Sequence, residues 1–270
     1  MHMRFDAGAA AYDRLTGRWS GLYAAAVLDA AEVKASHRVL DLATGTGDAA
    51  LLATAKLGSL GTAVGVDLSL PMLLLARRKH SEGPVKFVAA DAQALPFRDE
   101  TFDAVICQFG LMFFPDRIGA LRRARRLLRP GGRVALSVWG PWHRAPFIGL
   151  VAEALSKELP ADRDELLRPF ALADPHDLED LLTKAGLQDI DIERAVRRAR
   201  FVSFEDFWGP IEAGGSRLGQ AYLSLSHDAR ARVLRGVRES VAEFSSHGEI
   251  VMDLEAYIAT GRGTTSRQVP

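Results

Sequence analysis

Short runs of hydrophobic residues alternate with amphipathic stretches between about residue 38 and residue 139. A continuous apolar run of this length is typical of a strand in a parallel sheet, which is covered on both faces. The stretches between the runs place their apolar residues at helical spacing. Strands that alternate with helices predict βαβ crossovers, and therefore an α/β fold with a doubly wound sheet. The predicted strands lie within 37–43, 61–69, 85–92, 101–110 and 133–140.

Proline and glycine mark the ends of the helices that connect these strands. Gly58 follows the last periodic residue of a helix that begins near Asp48, and Pro71 stands at the start of the next helix. A third helix begins near Arg117 and is expected to end at the Pro-Gly-Gly sequence of 130–132.

The alternation weakens after Trp139. One more helix and strand are predicted within 174–198, and the segment 203–249 is expected to be mainly helical. Alternating apolar residues predict a last strand over 251–260. We expect one domain over 1–270, with a core at about 30–140, 175–200 and 250–262, an N-terminal helix over 5–30, and lid insertions at about 141–172 and 204–248.

Composition and charge narrow the class of protein. Hydrophobic residues make up 48% of the 270 residues and charged residues 25%, which is ordinary for a globular protein with a core. Lys+Arg and Asp+Glu each total 34, so net charge favours neither nucleic acid nor an anionic membrane as a partner. A single cysteine, Cys107, fits a reducing, cytoplasmic setting. No apolar run reaches the ~18 residues that span a bilayer, and the N-terminus lacks an apolar signal core.

Five arginines are concentrated in the helix that begins near Arg117. They are Arg122, Arg123, Arg125, Arg126 and Arg129. Apolar residues at helical spacing occupy the other side, so the arginines are expected to form a solvated face rather than a nucleic-acid surface. No group of His, Asp and Glu has metal-ligand spacing, and no metal is predicted.

The sequence VLDLATGTGDAALLA, residues 39–53, contains a glycine-rich turn with two interpretations. Gly45-x-Gly47-x-x-Ala50 has the spacing of a dinucleotide-binding loop. However, Asp41 lies at the end of the preceding strand and Asp48 at the entrance of the following helix. Carboxylates at these positions would compete with a pyrophosphate for the helix N-terminus and suit a positively charged ligand instead.

Two further acids follow the next two strands. Asp67 comes 20 residues after Gly47, at a position where an acid binds ribose hydroxyls in either kind of site. Asp91 ends the third strand and could accept a hydrogen bond from an adenine amino group. The carboxyl ends of the strands are therefore expected to hold an adenosine-containing ligand.

Five linked motifs carry a resemblance to a known family. They are VLDLATGTGD, VGVDLSLPML, VAADAQALPF, FDAVICQFGLMFFPD and LRPGGRVALSVW. With them the chain resembles a class I S-adenosylmethionine-dependent methyltransferase and is most similar to the ubiquinone/menaquinone-biosynthesis C-methyltransferases and related small-molecule enzymes. The resemblance covers about residues 5–140 and implies a Rossmann-like doubly wound sheet of seven strands, the last antiparallel. Ala43 departs from the pattern, since many members have glycine there.

The resemblance implies a set of cofactor-binding residues. Asp41 and the turn of Ala43, Thr44, Gly45 and Gly47 would hold the methionine end of S-adenosylmethionine. Asp67 would bind the ribose, Leu68 and Met72 would pack on the ribose or adenine, and Asp91 with Ala92 would meet the adenine. Gln108, which ends the fourth strand, would face the methionine part. Tyr12 and Arg18 belong to a segment that resembles the family's cofactor-covering helix.

The acceptor pocket is expected in the crevice after the fourth and fifth strands. Its neighbourhood is aromatic and apolar, which suits a flat or hydrophobic acceptor. The candidate lining residues are Phe109, Met112, Phe113, Trp142, Phe147 and, from the lid, Trp208. The same residues would serve equally well in a core. His143 is the best-placed candidate for a general base, although a surface loop position is the simpler interpretation.

The favoured hypothesis is methyl transfer to a small aromatic or quinone-like molecule, by C- or O-methylation. Two alternatives stay open: an NAD(P)-dependent oxidoreductase that uses the Gly45–Ala50 loop, and a methyltransferase-like binding protein without chemistry. Zero net charge disfavours an RNA substrate. Whether the chain forms a homodimer is left open.

Overall fold

The computed structural model describes residues 9–13, 17–81, 83–214 and 216–263. These residues form one sheet with helices on both faces, as the alternation of strands and helices predicts. The strands are β1 Arg38–Leu42, β2 Thr62–Asp67, β3 Lys86–Ala89, β4 Phe102–Gln108, β5 Leu128–Trp139, β6 Gln188–Phe201, β7 Ser245–Ser246 and β8 Glu249–Arg262. The helices are α1 Ala9–Tyr12, α2 Arg18–Ser20, α3 Ala24–Ala30, α4 Asp48–Leu57, α5 Leu70–Lys79, α6 Arg117–Leu127, α7 Pro146–Glu158, α8 Arg163–Leu166, α9 Pro175–Lys184, α10 Phe204–Glu212, α11 Arg217–Ser224 and α12 His227–Val241.

The strand order is β3-β2-β1-β4-β5-β8-β6. Strands β1 to β5 pair in parallel, whereas β8 lies antiparallel between β5 and β6. The predicted antiparallel last strand is therefore confirmed. Chain order reverses direction between β1 and β4, and such a switch point opens a crevice at the carboxyl ends of the strands.

The predicted count of seven strands is wrong for the described residues, which contain an eighth. Strand β7 has two residues and pairs with the start of β8. The connecting residues His247 and Gly248 both have positive φ, +51° and +85°, as a two-residue hairpin turn of this hand requires. A strand of two residues is too short to show the alternation of apolar and polar residues from which strands are predicted.

The end of α6 was also predicted too late. The helix stops at Leu127, and the Pro-Gly-Gly sequence of 130–132 lies inside β5. Leu128 pairs with Phe102 before the register shifts, so this stretch forms an irregular start of the strand rather than a helix end. Proline and glycine are compatible with a helix end and with an irregular strand start, because each interrupts a helix and each occurs at strand irregularities.

Helices from the second half of the chain pack on β6 and β8. Helices α10, α11 and α12 lie in the segment predicted to be helical, and α7 packs on α12 and α11. Buried aromatic side chains connect these helices to the N-terminal segment, since Trp19 contacts Phe201 at the end of β6 and Phe201 contacts Phe207 of α10. Within the described ranges, none of the helices combines the length and hydrophobicity needed to cross a bilayer.

Candidate functional site

A pocket of about 360 Å³ opens at the carboxyl ends of β1, β2, β3 and β4. This is the position that the strand order favours for a ligand. Nine of the thirteen residues that the sequence suggested for the cofactor line it: Tyr12, Ala43, Gly45, Asp67, Leu68, Met72, Asp91, Ala92 and Gln108. The remaining described lining residues are Val66, Ser69, Ala90, Gln93, Phe109, Gly110, Phe113, Phe114, Pro115 and Arg168.

The turn after β1 leaves the ordinary backbone regions at three positions. φ is +54° at Ala43, +55° at Gly45 and +85° at Gly47. Glycine adopts this left-handed region freely, whereas alanine does so at a cost. A Cβ on Gly47 would also lie 2.7 Å from the ring of Phe87, so this glycine lets the entrance of α4 pack against β3. Gly47 thus shapes the turn without lining the pocket.

The Asp67 carboxylate joins the turn to the second strand. Its Oδ2 accepts a hydrogen bond from the Gly45 amide at 2.8 Å, and its Oδ1 accepts one from the Ser69 amide at 2.8 Å. Burial raises the pKa of Asp67, and the amides of Ser69 and Gly45 oppose that shift. A carboxylate has about four lone-pair positions, so Asp67 keeps acceptor capacity toward the pocket.

Asp41 lies below the turn rather than in the pocket. Its side chain is 1% exposed, Oδ2 accepts a hydrogen bond from Thr44 Oγ1 at 2.6 Å, and Oδ1 has no hydrogen-bond partner among the described residues. Burial raises the pKa of Asp41 to about 7. Neither Asp41 nor Thr44 lines the pocket, so their place in the site is to support the turn from beneath.

A cluster of four polar residues closes the other side of the turn. Lys79 Nζ lies 2.7 Å from Asp13 Oδ1 and 2.9 Å from Asp48 Oδ2, and Thr46 Oγ1 donates to Asp13 Oδ1 at 2.6 Å. One lysine thus pairs with two carboxylates, so the entrance of α4 keeps negative charge. Asp48 binds Lys79 and does not line the pocket, contrary to the expectation that it faces a positively charged ligand. The cluster instead holds Asp13, the residue that follows α1, against the turn after β1.

Asp91 and a residue that the sequence analysis missed form the far end of the pocket. Asp91 Oδ1 accepts a hydrogen bond from the Gln93 amide at 2.8 Å, and Gln93 Oε1 accepts one from the Asp116 amide at 3.1 Å. Gln93 thereby links the loop after β3 to the start of α6. Its place two residues after an acid that ends a strand is the signal that could have identified it.

Gln108 carries an unsatisfied polar atom at the edge of the pocket. Its Nε2 donates to the Ser20 carbonyl at 2.6 Å, whereas its buried Oε1 has no hydrogen-bond partner among the described residues. A buried acceptor without a partner is costly unless a ligand or water supplies one. Gln108 thus lines the pocket with a buried Oε1 that a ligand or a water molecule would have to satisfy.

Some of the apolar residues that follow β4 line the pocket, and others belong to the core. Phe109 and Phe113 line the pocket, as does Phe114, whereas Met112 is fully buried outside the lining. Phe109 has a φ of +51°, which is rare for a bulky residue, and its ring stacks on Trp139 with centroids 3.9 Å apart. Strain of this kind persists only where packing holds it, and it is concentrated at functional sites.

Four further residues predicted for the acceptor side lie outside the pocket lining. Phe147 is 1% exposed and packs edge-on against Trp139, and Trp208 is 3% exposed and packs against Tyr222. Both belong to amphipathic helices whose aromatic faces turn toward the core. Trp142 and His143 lie in a short 3-10 helix after β5, where His143 is exposed. The structure therefore gives no support to His143 as a base.

Arg18 is likewise placed elsewhere than expected. Its guanidinium lies 3.2 Å from Asp206 Oδ1 and donates to the Arg200 carbonyl at 3.1 Å. It therefore ties the N-terminal segment to α10 and the end of β6 rather than touching the pocket. Tyr12 does line the pocket, and burial, with the nearby Asp67 and Asp13 carboxylates, raises the pKa of its phenol.

Arg168 lines the pocket although no sequence pattern predicts it there. It lies in a 3-10 helix, Arg168–Phe170, between α8 and α9, in a stretch without a recognisable motif. Only the folded chain brings this helix against the 3-10 helix Leu111–Phe113 that follows β4. As for metals, the described part of the chain contains no group of three or more His, Cys, Asp or Glu arranged to hold one.

Comparison with known proteins agrees with this geometry. A model of the methyltransferase domain family matches residues 40–136. Demethylmenaquinone methyltransferase of Thermus thermophilus is 46% identical over 126 residues, which cover 46% of this chain and 56% of that protein. A ubiquinone/menaquinone biosynthesis C-methyltransferase of Cellvibrio japonicus is 37% identical over 138 residues, covering 48% of this chain and 55% of that protein. The chain spans about half the length of the curated relatives it matches.

A solved structure extends the likeness beyond the matched segment. Phosphoethanolamine N-methyltransferase 2 of Haemonchus contortus, in complex with phosphomonomethylethanolamine and S-adenosylhomocysteine, superposes with a TM-score of 0.60 and 22% identity, over 96% of this chain and 57% of that chain. At that identity the likeness concerns the fold. The predicted resemblance is thus confirmed: residues 40–136 match the methyltransferase domain family, and the fold is the one that class I S-adenosylmethionine-dependent methyltransferases share.

Proposed function

We propose that this protein is an S-adenosylmethionine-dependent methyltransferase that acts on a small, quinone-like aromatic molecule. One observation carries the proposal: a single pocket brings Asp67, Asp91 and Gln108 together with an aromatic wall at the carboxyl ends of the strands. The names of the two curated relatives point to quinone acceptors. The pocket's apolar character is in keeping with such a ring.

The lining residues fit the parts of the cofactor. Asp67 would accept hydrogen bonds from the ribose with the acceptor capacity that its bonds to backbone amides, those of Gly45 and Ser69 among them, leave free. Asp91 would accept a hydrogen bond from the adenine amino group. The unpartnered Oε1 of Gln108 would accept one from the α-ammonium group of the methionine part. The left-handed turn at Ala43 and Gly45 lets the backbone approach that part closely.

The chain's own contribution to the reaction is positioning. When bound, S-adenosylmethionine supplies the electrophilic methyl group for an in-line displacement. The side chains of Phe109, Phe113 and Phe114 would hold a flat acceptor in a dry pocket, facing that methyl group. Alignment of the two reactants would supply most of the acceleration, and a proton lost from the acceptor would pass to solvent or to a lining carboxylate.

The oxidoreductase alternative fits the geometry less well. A dinucleotide's pyrophosphate would need the amides at the entrance of α4. That entrance carries the Asp48 carboxylate, which Lys79 and Thr46 bind, and none of these residues lines the pocket. A negative charge at this place disfavours a phosphate.

A label-transfer assay tests the proposal. Purified protein is incubated with S-adenosylmethionine that carries a tritiated methyl group and with 1,4-naphthoquinol, and the organic extract is counted. We expect transfer by the wild-type protein, loss in Asp67→Asn, and retention in Asp99→Asn, an exposed carboxylate on the surface beside α6. Cofactor binding without transfer to any aromatic acceptor would support the alternative of a binding protein. Absence of cofactor binding together with tight NADH binding would support an oxidoreductase.

A further inference from the structure

Arg168 is the one cationic side chain among the described residues that line the pocket. It begins a 3-10 helix that contacts another 3-10 helix, Leu111–Phe113. Arg168 and Phe113 both line the pocket, so the arginine lies on the side of the pocket that carries the aromatic residues. A cation in an otherwise apolar and aromatic wall requires an explanation, because its partial burial costs solvation.

The acidic groups around Arg168 only partly balance its charge. Arg168 Nη2 lies 2.6 Å from Glu165 Oε1, but the other oxygen of Glu165 lies 2.8 Å from Arg217 Nη2. One carboxylate is therefore shared between two guanidiniums. The Arg168 side chain remains 34% exposed, so it keeps donors available toward the pocket.

A second arginine adds positive charge at the same place. Arg117 Nη2 donates to the Met112 carbonyl at 2.8 Å, while its buried Nε has no hydrogen-bond partner and no carboxylate of the described residues pairs with it. Burial, and then the positive charge of Arg168, lower the pKa of Arg117. The nearest acid in sequence, Asp116, uses its Oδ1 to cap the amide of Gly119 at 2.8 Å.

The position of Arg117 increases this imbalance. It is the first residue of α6, and a cation at a helix N-terminus opposes the helix dipole. The positive charges of Arg117 and Arg168 repel each other, and the Glu165 carboxylate that pairs with Arg168 is shared with Arg217. This repulsion lowers the stability of the folded protein. A bound anion would remove that cost, because it would supply the missing negative charge and accept the unused donors.

We propose that the methyl acceptor carries an oxyanion on its aromatic ring, a carboxylate or an ionised hydroxyl, and that Arg168 binds it. Arg117 acts as a positioning residue, which raises the positive potential at Arg168. The guanidinium would hold the anion in a fixed geometry and so orient the ring against Phe113. This inference deepens the proposed function and rests on it.

A pair of matched probes tests the proposal by calorimetry. The protein is saturated with S-adenosylhomocysteine and titrated with 1-hydroxy-2-naphthoate or with uncharged 1-naphthol. We expect the wild-type protein to bind the naphthoate at least about tenfold more tightly, as a charge-assisted hydrogen bond would give. Arg168→Gln should abolish this preference, and Arg168→Lys should retain part of it. Arg117→Gln should reduce the ratio of the two affinities, and Arg117→Lys should restore it.

Arg163→Gln is the control, because Arg163 pairs with Glu153, shares no carboxylate with Arg168 and does not line the pocket, and it should leave the preference unchanged. Equal affinity for the two probes, no binding of the naphthoate, or a preference that survives in Arg168→Gln would overturn the proposal. It is also overturned if Arg168→Gln weakens S-adenosylhomocysteine but not 5′-methylthioadenosine, because the guanidinium would then bind the cofactor's carboxylate. If the wild-type protein fails to bind S-adenosylhomocysteine, the proposed function itself fails.

Discussion

A single methyl group added at Gly110 tests the packing on which the pocket depends. Gly110 follows β4 and lies against the glycine turn. A Cβ at this position would lie 2.5 Å from the Cβ of Ala43 and 3.0 Å from Cys107 Sγ. The φ of Gly110 is −100°, which alanine adopts without strain, so the cost of Gly110→Ala arises from these contacts alone.

The expected magnitude follows from the contact with Ala43. Overpacking by one methyl group in a close-packed region costs about 1–3 kcal/mol of unfolding free energy. Ala43→Gly removes the nearer of the two clashing atoms and also relieves the left-handed backbone of Ala43. That relief of about 1–2 kcal/mol is largely offset by the greater freedom of glycine in the unfolded chain, so Ala43→Gly alone should change stability little.

The two substitutions should therefore be coupled. We expect Gly110→Ala to cost at least about 1 kcal/mol less in the Ala43→Gly protein than in the wild-type protein, a coupling typical of residues in contact. Urea unfolding of the four proteins, followed by circular dichroism, measures the shift in midpoint at constant slope. Gly110→Ala should also weaken S-adenosylhomocysteine binding, because it displaces the turn that lines the pocket, and Ala43→Gly should partly restore that affinity.

Gly236→Ala is the matched control, because a Cβ at this helical position meets no heavy atom within 4 Å. It should stabilise the protein by about 0.5–1 kcal/mol, and by the same amount in the wild-type protein and in the Ala43→Gly protein. If Gly110→Ala costs the same free energy in both backgrounds, or costs nothing, Ala43 and Gly110 are not packed as described.

Three further substitutions have definite expected outcomes. Asp41 has a folded-state pKa of about 7 because it is buried, so protonation favours the folded protein, and urea unfolding should show stability falling as the pH rises from about 4 to about 7. Asp41→Asn should lack that fall; an unchanged pH profile would contradict the assignment. Lys79→Met leaves the Asp13 and Asp48 carboxylates unpaired and should lower the unfolding free energy by about 1 kcal/mol, with weaker S-adenosylhomocysteine binding in calorimetry. His143→Ala should leave the rate of methyl transfer unchanged, since this exposed residue lies outside the pocket, and a large loss of rate would restore it as a base.

The parts of the fold that sequence predicts well are those with a strong local cause. Strands β1, β2 and β4 are buried on both faces and therefore appear as continuous apolar runs. Asp67 and Asp91 could be placed at one edge of the sheet because the carboxyl ends of parallel strands meet there. The pocket brings these two acids together as that argument requires.

The residues that sequence placed poorly depend on tertiary contacts. Phe147 and Trp208 are as aromatic as Phe113, and only the packing of α7 and α10 decides that the first two face the core while the third lines the pocket. Asp48 has the position of a ligand-binding acid, but it binds Lys79, 31 residues further along the chain, outside the pocket lining. Arg168 lines the pocket from the stretch between α8 and α9, which has no periodicity, so its place depends entirely on the fold.

Calorimetry with S-adenosylhomocysteine on the wild-type protein and on Asp67→Asn tests the central claim most directly. The substitution keeps the shape of the side chain but removes the charged acceptor that faces the pocket, and Asp99→Asn serves as the control. We expect one binding site in the wild-type protein and in Asp99→Asn, and an affinity at least about tenfold lower in Asp67→Asn. A folded wild-type protein that does not bind, or an Asp67→Asn protein that binds equally well, would contradict it.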